Sequence, residues 1–498
     1  MRYAFQFKIN CKGGILSPGY LHGLLKELEK AGTKHVRFGL RQQLLINAAG
    51  KDSKKIIAAL KLSNADFEIN KDVYPNISSS YAAAEVFTKE SWLSQGVYKD
   101  IFDQFEYKPK LKINIADSNQ SFTPFFTGNI NWISSKQNHF WHLYIRFPKT
   151  NILYEWKELI YTNDIARLSN EIEKRIFNDR ESFYDNTSAN GNKLYETIAS
   201  RASSLSKPAD EKLVLPTFQL PYYEGQNNYG DKSWLGIYRR DELFTVSFLK
   251  DVCKLCLETS LSELYATPWK SLIIKGIEIK DQPLWHAVLN KHRITVRHAS
   301  SELNWQVEDA NEDGLMLKKQ IIREFDHRDV RTYGLCFAIK TQPKSGVYGS
   351  VLVRRQFKSI NGKLKPLAKF DILYTTDFNP NSKEFILFRN DVIKKHLPTY
   401  LVGLCKYFYE QKREGDLLPG STYTEEKIRG QKTTDEKYIY QCKHCKTVYD
   451  EELGESEKNI IAGTLFDDLP LEYCCPLCEA PKNDFEHKEL KLLGFQVI

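Results

Sequence analysis

Two closely spaced cysteine pairs near the C-terminal end constrain the fold more than any other feature of this chain. Cys442 and Cys445 form the first C-x2-C pair, Cys475 and Cys478 form the second, and 29 residues lie between the pairs. Each pair can present two thiolates from one tight turn, and two such turns complete a tetrahedron of sulfur ligands around one metal ion. The spacing therefore predicts a small metal domain in which these four cysteines bind a single ion.

The sequence around both pairs resembles that of the rubredoxins. The matching segments are YQCKHC, VYD, GTLFDDLP, CPLC and APKNDF, within about fifty residues. The resemblance implies one iron atom held by the four cysteines, which carries one electron and performs no bond chemistry. Lys446 and Glu479 stand where rubredoxins usually have glycine, the residue that best tolerates a positive φ. A structural zinc ion stays the alternative, because sulfur spacing alone fits both metals.

The N-terminus and the cysteine usage predict a cytoplasmic protein. The opening residues, MRYAFQFKIN, lack the apolar run of a signal peptide, and no stretch of the sequence approaches the length of a membrane span. In a reducing compartment, paired cysteines indicate metal binding rather than disulfides. We therefore expect no membrane association.

Charge is distributed unevenly between the metal domain and the rest of the chain. From Lys437 onward there are twelve acidic and seven basic residues, a net charge of −5, which leaves +13 for the remainder of a chain whose total is +8. This asymmetry predicts electrostatic docking, either of the acidic domain or of acidic partners, on the basic part. The basic residues form no concentrated stripe with interleaved aromatics, so we do not expect nucleic acid binding.

The residues before the metal domain show one pattern twice, a strand, a helix and a returning strand. The first unit contains LHGLLKELEKAG and HVRFGLRQQLLIN, and the second contains ELFTVSFLKDVCKLCLET and SELYATPWKSLIIKGIEI. This weak internal repeat predicts an α+β fold with a two-lobed body. The predicted divisions are 1–160 for the first half, 161–215 for a helical connector, 216–412 for the second half, 413–436 for a linker, and 437–488 for the metal domain.

The two halves resemble the siroheme-dependent nitrite and sulfite reductases. The segments that carry this resemblance are GGILSPGYLHGLLKELEKAG, VRFGLRQQLLIN, TPWKSLIIKGI and RTYGLCFAIK. It covers most of residues 1–390 and implies ferredoxin-like halves with a group of cations for the siroheme carboxylates. By this resemblance, the cofactor-binding residues are Arg41, Lys110 and Lys112. The same three residues can also be solvated ends of strands, and the sequence leaves both interpretations open.

The chain departs from this family where the family holds a four-iron cluster. The family uses a C-x5-C pair followed by a C-x3-C pair. Here His298 and Asn304 stand at the first spacing, while Cys336 and Lys340 stand at the second. One thiol cannot hold a four-iron cluster, which needs about four thiolates. We therefore predict that this cluster has been lost. Pro75 also replaces an arginine that helps the family to bind the anion, which argues against catalysis.

These observations favour an electron carrier over a catalytic reductase. In this hypothesis the body docks a redox partner protein, a nitrite or sulfite reductase, next to the iron site. Two alternatives stay open. The first is a siroheme-dependent nitrite or sulfite reductase without the four-iron cluster, in which siroheme is a second cofactor that the missing cysteines argue against. The second is a zinc-stabilised interaction module without a redox role.

Overall fold

The computed structural model of the chain describes two compact units. They are Met1–Lys412, called the body below, and Arg413–Ile498, called the C-terminal unit. Residues 417–437, which hold most of the predicted linker 413–436, lie outside the described residues. The finer domain boundaries stay predictions. The described residues are 5–88, 91–200, 204–299, 301–343, 346–356, 368–382, 384–416, 438–444, 448–449, 451, 455, 460, 463–476 and 479–489.

The body alternates short strands and helices. Its first part contains β1 (Phe5–Ile9), β2 (Ile15–Leu16), α1 (Pro18–Lys30), β3 (His35–Phe38), β4 (Leu44–Ala48), α2 (Ser53–Leu62), β5 (Phe67–Ile69), β6 (Ser78–Ser79), α3 (Gln95–Asp103), β7 (Ile113–Ala116), β8 (Ile130–Ser134), β9 (Phe140–Arg146), β10 (Leu153–Glu155), β11 (Glu158–Tyr161), α4 (Ile165–Asn178), α5 (Arg180–Phe183), α6 (Gly191–Ala199) and β12 (Ser206–Pro208). Its second part contains β13 (Gly225–Tyr229), β14 (Lys232–Ile237), β15 (Phe244–Thr245), α7 (Val246–Glu258), β16 (Leu264–Ala266), β17 (Leu272–Glu278), α8 (Gln282–Lys291), β18 (Trp305–Val307), α9 (Glu312–His327), β19 (Phe337–Lys340), β20 (Val351–Arg355), β21 (Lys369–Thr375), β22 (Phe385–Ile393) and α10 (Leu397–Asp416).

The helices of both predicted strand–helix–strand units are present as α1 and α7, but each predicted returning strand is two strands, β3 and β4 in the first unit and β16 and β17 in the second. The apolar residues of α1 recur at the spacing of one helical face, and that face is buried. Gly32, at a φ of 89°, follows the last turn of α1 and allows the chain to leave the helix. The helices α1 and α7 pack against each other in one apolar core.

The two halves of the body exchange strands. One sheet has the order β15-β3-β4-β1-β5, so that β15 of the second half extends the sheet of the first half. Another has the order β13-β14-β17-β16-β2, so that β2 of the first half extends the sheet of the second half. Because residues from both halves form the core against these sheets, the halves fold as one interleaved structure.

Two larger sheets complete the body and place the residues of interest. The first has the order β12-β11-β9-β8-β7-β6, with β10 paired to β9, and the second has the order β18-β19-β20-β21-β22. Strands β6, β7 and β8 run parallel, as do β18, β19 and β20. The loop between β3 and β4 contacts the start of β7, and this contact brings Arg41 close to Lys112.

The C-terminal unit contains a small antiparallel sheet. Its strands are β23 (Tyr438–Cys442), β24 (Val448–Tyr449) and β25 (Phe485–Glu489), in the order β24-β23-β25. Aromatic side chains fill the core beside this sheet. Across the described part of the chain, no helix has both the length and the apolar character that crossing a bilayer requires.

Candidate metal centre and cationic cluster

The structure places one cysteine from each predicted pair in the same small core. Cys442 is fully buried and Cys475 is 1% exposed, and both belong to the core of the C-terminal unit. Cys445 and Cys478 lie outside the described residues. Two buried sulfur donors, one from each pair, are the arrangement that a single ion held by two cysteine pairs requires.

Strand pairing fixes the position of the first cysteine. Cys442 is the last residue of β23 and lies opposite Phe485, the first residue of β25. The next residue, Lys443, donates its backbone N–H to the carbonyl oxygen of Asp484 at 2.8 Å. The imidazole of His444 also contacts the carboxylate of Asp484 at 2.9 Å. The end of β23 is therefore anchored by the pairing of Cys442 with Phe485 and by two contacts with Asp484 just after the thiol.

A tight turn fixes the position of the second cysteine. Cys475 donates its backbone N–H to the carbonyl oxygen of Ala480 at 2.7 Å and accepts the backbone N–H of Glu479 at 3.0 Å. Glu479 has a φ of 58°, the left-handed conformation expected at a position that glycine usually occupies. The corresponding residue after the first pair, Lys446, lies outside the described residues.

Aromatic rings close the core around both thiols. The ring of Phe466 stacks on Tyr440 with centroids 4.0 Å apart, and Phe485 lies 5.2 Å from it. Tyr473 donates its hydroxyl to Glu455 at 2.8 Å. Burial raises the pKa of Tyr473, and the Glu455 carboxylate raises it further, so this hydroxyl stays protonated at neutral pH. The donor set and its dry surroundings fit a metal ion held by thiolates.

Comparison with known proteins agrees with this geometry. The rubredoxin family model matches residues 439–485. Rubredoxin-2 of Pseudomonas aeruginosa is 45% identical over 51 residues, which are 10% of this chain and 93% of that protein. The chain belongs to the rubredoxin family through its C-terminal domain. Rubredoxin-2 of Alcanivorax borkumensis is 45% identical over 56 residues, 11% of this chain, and the match spans only 31% of that relative's length.

The rubredoxin domain is attached to a body of a different fold. The structure of the Mycobacterium tuberculosis NirA protein superposes with a TM-score of 0.62 and 13% sequence identity, covering 82% of this chain and 81% of that chain. At this level of identity the likeness carries the fold alone. It confirms the predicted α+β fold and shows that the body preceding the rubredoxin domain has the fold of the NirA protein.

Arg41 lies in the loop between β3 and β4, where oxygen atoms of the protein accept hydrogen bonds from most of its N–H groups. Its guanidinium donates twice to the carbonyl oxygen of Asn76, at 2.7 and 3.0 Å, and once to that of Ile113, at 2.8 Å. A fourth hydrogen bond reaches Oδ1 of Asn114 at 3.1 Å. Burial lowers the pKa of Arg41 to about 10. Four of the five N–H groups of this side chain are therefore engaged within the protein.

The structure brings Arg41 together with Lys112 but not with Lys110. Burial lowers the pKa of Lys112, and the neighbouring guanidiniums of Arg41 and Arg146 lower it further. Lys110 is exposed, and its backbone N–H donates to Glu173 of α4 at 2.6 Å. Sequence reasoning missed Arg146, at the end of β9, which donates to the carbonyl oxygen of a loop residue at 2.8 Å.

The positions that match the cluster cysteines of the reductase family make other contacts. Cys336 is fully buried in an apolar core, where its thiol donates to the carbonyl oxygen of Tyr348 at 3.5 Å, and burial raises its pKa. His298 contacts the buried carboxylate of Glu224 at 2.7 Å. Asn304 donates to two backbone carbonyl oxygens. These residues therefore do not fit a four-iron cluster bridged to siroheme.

Lys340, at the other cluster-matching position, instead lies near positively charged side chains. It lies at the end of β19, opposite Arg354 of β20. Burial lowers the pKa of Lys340, and the positive charges of Arg354 and Arg146 lower it further. No described residue makes a hydrogen bond with the ammonium group of Lys340. We call Arg41, Lys112, Arg146 and Lys340 the cationic cluster. It offers positive charge but no thiolate.

Proposed function

We propose that the protein is an electron carrier whose rubredoxin domain holds one iron atom through Cys442, Cys445, Cys475 and Cys478. The observation that carries the proposal is the burial of Cys442 and Cys475, one from each pair, in a single aromatic core. Bound iron supplies a reversible one-electron change at a centre of four thiolates.

The residues around the two thiols are suited to this role. The stacked rings of Tyr440 and Phe466 and the buried Phe485 exclude water from the sulfur atoms. The turn closed by Glu479 and the strand end anchored by Lys443 hold the two sulfur positions in place. A rigid and dry ligand set favours fast electron transfer, because little solvent or ligand movement accompanies the change in charge.

The partner in this proposal is an acidic redox protein, a nitrite or sulfite reductase, that docks on the body. The net charge of +13 outside the metal domain supports electrostatic attraction of such a partner. The fold likeness to the NirA protein supports a relation to nitrite and sulfite reduction. A covalent connection raises the effective concentration of the rubredoxin domain near whatever the body binds. We place this reaction in the cytoplasm.

The visible spectrum and metal content of the anaerobically purified full chain test the iron centre. We expect one iron per chain and a red colour that bleaches on reduction, whereas one zinc per colourless chain would overturn the proposal. Cys475→Ser should abolish the colour. The matched control is Cys474→Ser, because Cys474 is a neighbouring thiol outside the predicted ligand set. This variant should keep the red colour.

A siroheme-dependent reductase is the second candidate, and one observation favours it. The cationic cluster gathers the charges of Arg41, Lys112 and Arg146 at the edge of β7, as carboxylates of a cofactor would require. The absence of matching cysteines at the positions of His298 and Asn304 argues against it. Under our proposal, the absorption bands of siroheme should not change when the cofactor is added to the full chain. Bands that shift and saturate at one equivalent would favour the second candidate.

A further inference from the structure

A cavity lies on the body, remote in sequence from the metal cysteines. The irregular segment 209–216, which follows β12, crosses one face of the sheet that contains β7, β8 and β9. Leu213 and Leu215 of this segment pack against a small core on that face. Between the segment and the sheet is a cavity of about 480 Å³. This volume lies within the range of small-molecule sites in proteins.

A buried histidine without a protein partner lines this cavity. His142, in the middle of β9, is only 7% exposed. No described residue makes a hydrogen bond or an ion pair with its imidazole. Burial lowers the pKa of His142, against the opposing effect of Glu155 and Glu211, so the ring is neutral at pH 7. One ring nitrogen then donates and the other accepts.

The side chain of His142 as a whole is buried, but its ring nitrogens are not among the buried polar atoms that lack a partner. They are therefore open to the cavity that the residue lines. The hydroxyls of Ser134 and Ser118, which line the same cavity, bond to each other at 3.2 Å. The donor and acceptor of the ring therefore stay available to the cavity.

The rest of the lining separates into an apolar wall and a charged mouth. Leu159 of β11 joins Leu213 and Leu215 on the apolar side. At the mouth, Lys136 and Glu211 form an ion pair at 3.0 Å, so their charges compensate each other. Lys212 makes no ion pair with any described residue, which leaves one positive charge at the opening.

We propose that this cavity binds a small organic anion with an apolar body. The apolar body lies against Leu213 and Leu215, its polar group bonds to the imidazole of His142, and its negative charge faces Lys212. The proposal concerns a site in the body and does not depend on the metal in the rubredoxin domain.

Two fluorescent probes with the same rings test the proposal on the full chain. They are 8-anilinonaphthalene-1-sulfonate, an anion, and N-phenyl-1-naphthylamine, which lacks the sulfonate. We expect the anion to bind about tenfold more tightly than the neutral probe. Lys212→Glu should weaken the anion about tenfold and leave the neutral probe unchanged. Equal affinity of both probes would overturn the assignment of an anionic ligand.

Histidine variants locate the binding site. His142→Phe should weaken both probes about tenfold, because it removes the ring nitrogens that bond to the anilino N–H that both probes carry. His139→Phe is the matched control, since His139 is an exposed histidine at the turn before β9, and it should bind both probes like the wild type. Wild-type affinity in His142→Phe would overturn the proposal.

Nuclear magnetic resonance gives a measurement that needs no substitution. The imidazole C–H signals of His142 should shift on titration with the sulfonate probe, while those of His139 should not. If the signals of His142 do not shift at a saturating concentration of the probe, the probe does not bind in this cavity, and the proposal is overturned. This measurement and Lys212→Glu decide the question if His142→Phe does not fold.

Discussion

The backbone N–H of Glu479 donates to the carbonyl oxygen of Cys475 at 3.0 Å, with Glu479 in a left-handed conformation at a φ of 58°. This hydrogen bond closes the turn that presents the second cysteine pair. A side chain other than glycine in this conformation costs roughly 1 kcal/mol, because its Cβ approaches the backbone oxygen. The rubredoxin domain therefore carries a small strain next to its metal ligands.

Replacing Glu479 by glycine should relieve that strain. We expect Glu479→Gly to raise the free energy of unfolding of the metal-loaded chain by about 0.5–1 kcal/mol. Urea unfolding followed by the absorbance of the metal centre measures the change. Glu479→Ala is the control, because it removes the charge but keeps Cβ, and it should stay near the wild type. Equal stabilisation by alanine would attribute the effect to the carboxylate.

The hydroxyl of Tyr473 should contribute to the stability of the same domain. Its hydrogen bond to the Glu455 carboxylate is 2.8 Å long and half-buried. We expect Tyr473→Phe to lower the free energy of unfolding by about 1–2 kcal/mol, since the carboxylate loses its donor. Tyr440→Phe keeps the ring that stacks on Phe466 and should change stability by less than about 0.5 kcal/mol. Similar losses in both variants would contradict this expectation.

Local sequence signals predicted the metal centre better than the cationic cluster. The left-handed conformation at Glu479 follows from the resemblance to rubredoxins, and the grouping of Cys442 with Cys475 follows from the two C-x2-C pairs. The proximity of Arg146 to Arg41 depends on how β9 packs beside the loop between β3 and β4, and no local pattern encodes that packing. Local patterns also did not predict that the two-residue strands β2 and β15 pair with strands of the opposite halves.

The separation of Lys110 from Lys112 has a similar cause. Residues two apart share a face only within a continuous strand. Strand β7 begins at Ile113, so both lysines precede the regular alternation. Glu173 of α4 accepts the backbone N–H groups of Lys110 and of the residue after it, and this contact from a distant helix fixes the local direction of the chain.

Lys318 should make the stability of the body depend on pH. It is 2% exposed and donates to the hydroxyl of Tyr238 at 2.6 Å, and burial lowers its pKa to about 8. In the unfolded chain its pKa is about 10.4. Between these values the unfolded chain binds more protons than the folded chain, so the free energy of unfolding rises with pH in that window.

Lys318→Met should remove that rise and stabilise the body at pH 7 by on the order of 1 kcal/mol, because no charge is then buried. Urea unfolding at several pH values between 7 and 10 measures both effects. Lys319→Met is the control, since Lys319 is an exposed neighbour paired with Asp241, and it should keep the rise. If the free energy of unfolding of Lys318→Met still rises between about pH 8 and 10, the pH dependence comes from groups other than Lys318.

Arg41 should stabilise the body, whereas Lys112 should not. Arg41→Ala removes four hydrogen bonds and leaves the carbonyl oxygens of Asn76 and Ile113 without their donors. We expect a loss of about 3 kcal/mol in the free energy of unfolding, measured with urea and near-ultraviolet circular dichroism. Lys112→Ala should leave stability unchanged or raise it, because it removes a cation that burial disfavours and that Arg41 repels. Unchanged stability in Arg41→Ala would instead mean that its guanidinium is available to bind an anionic cofactor.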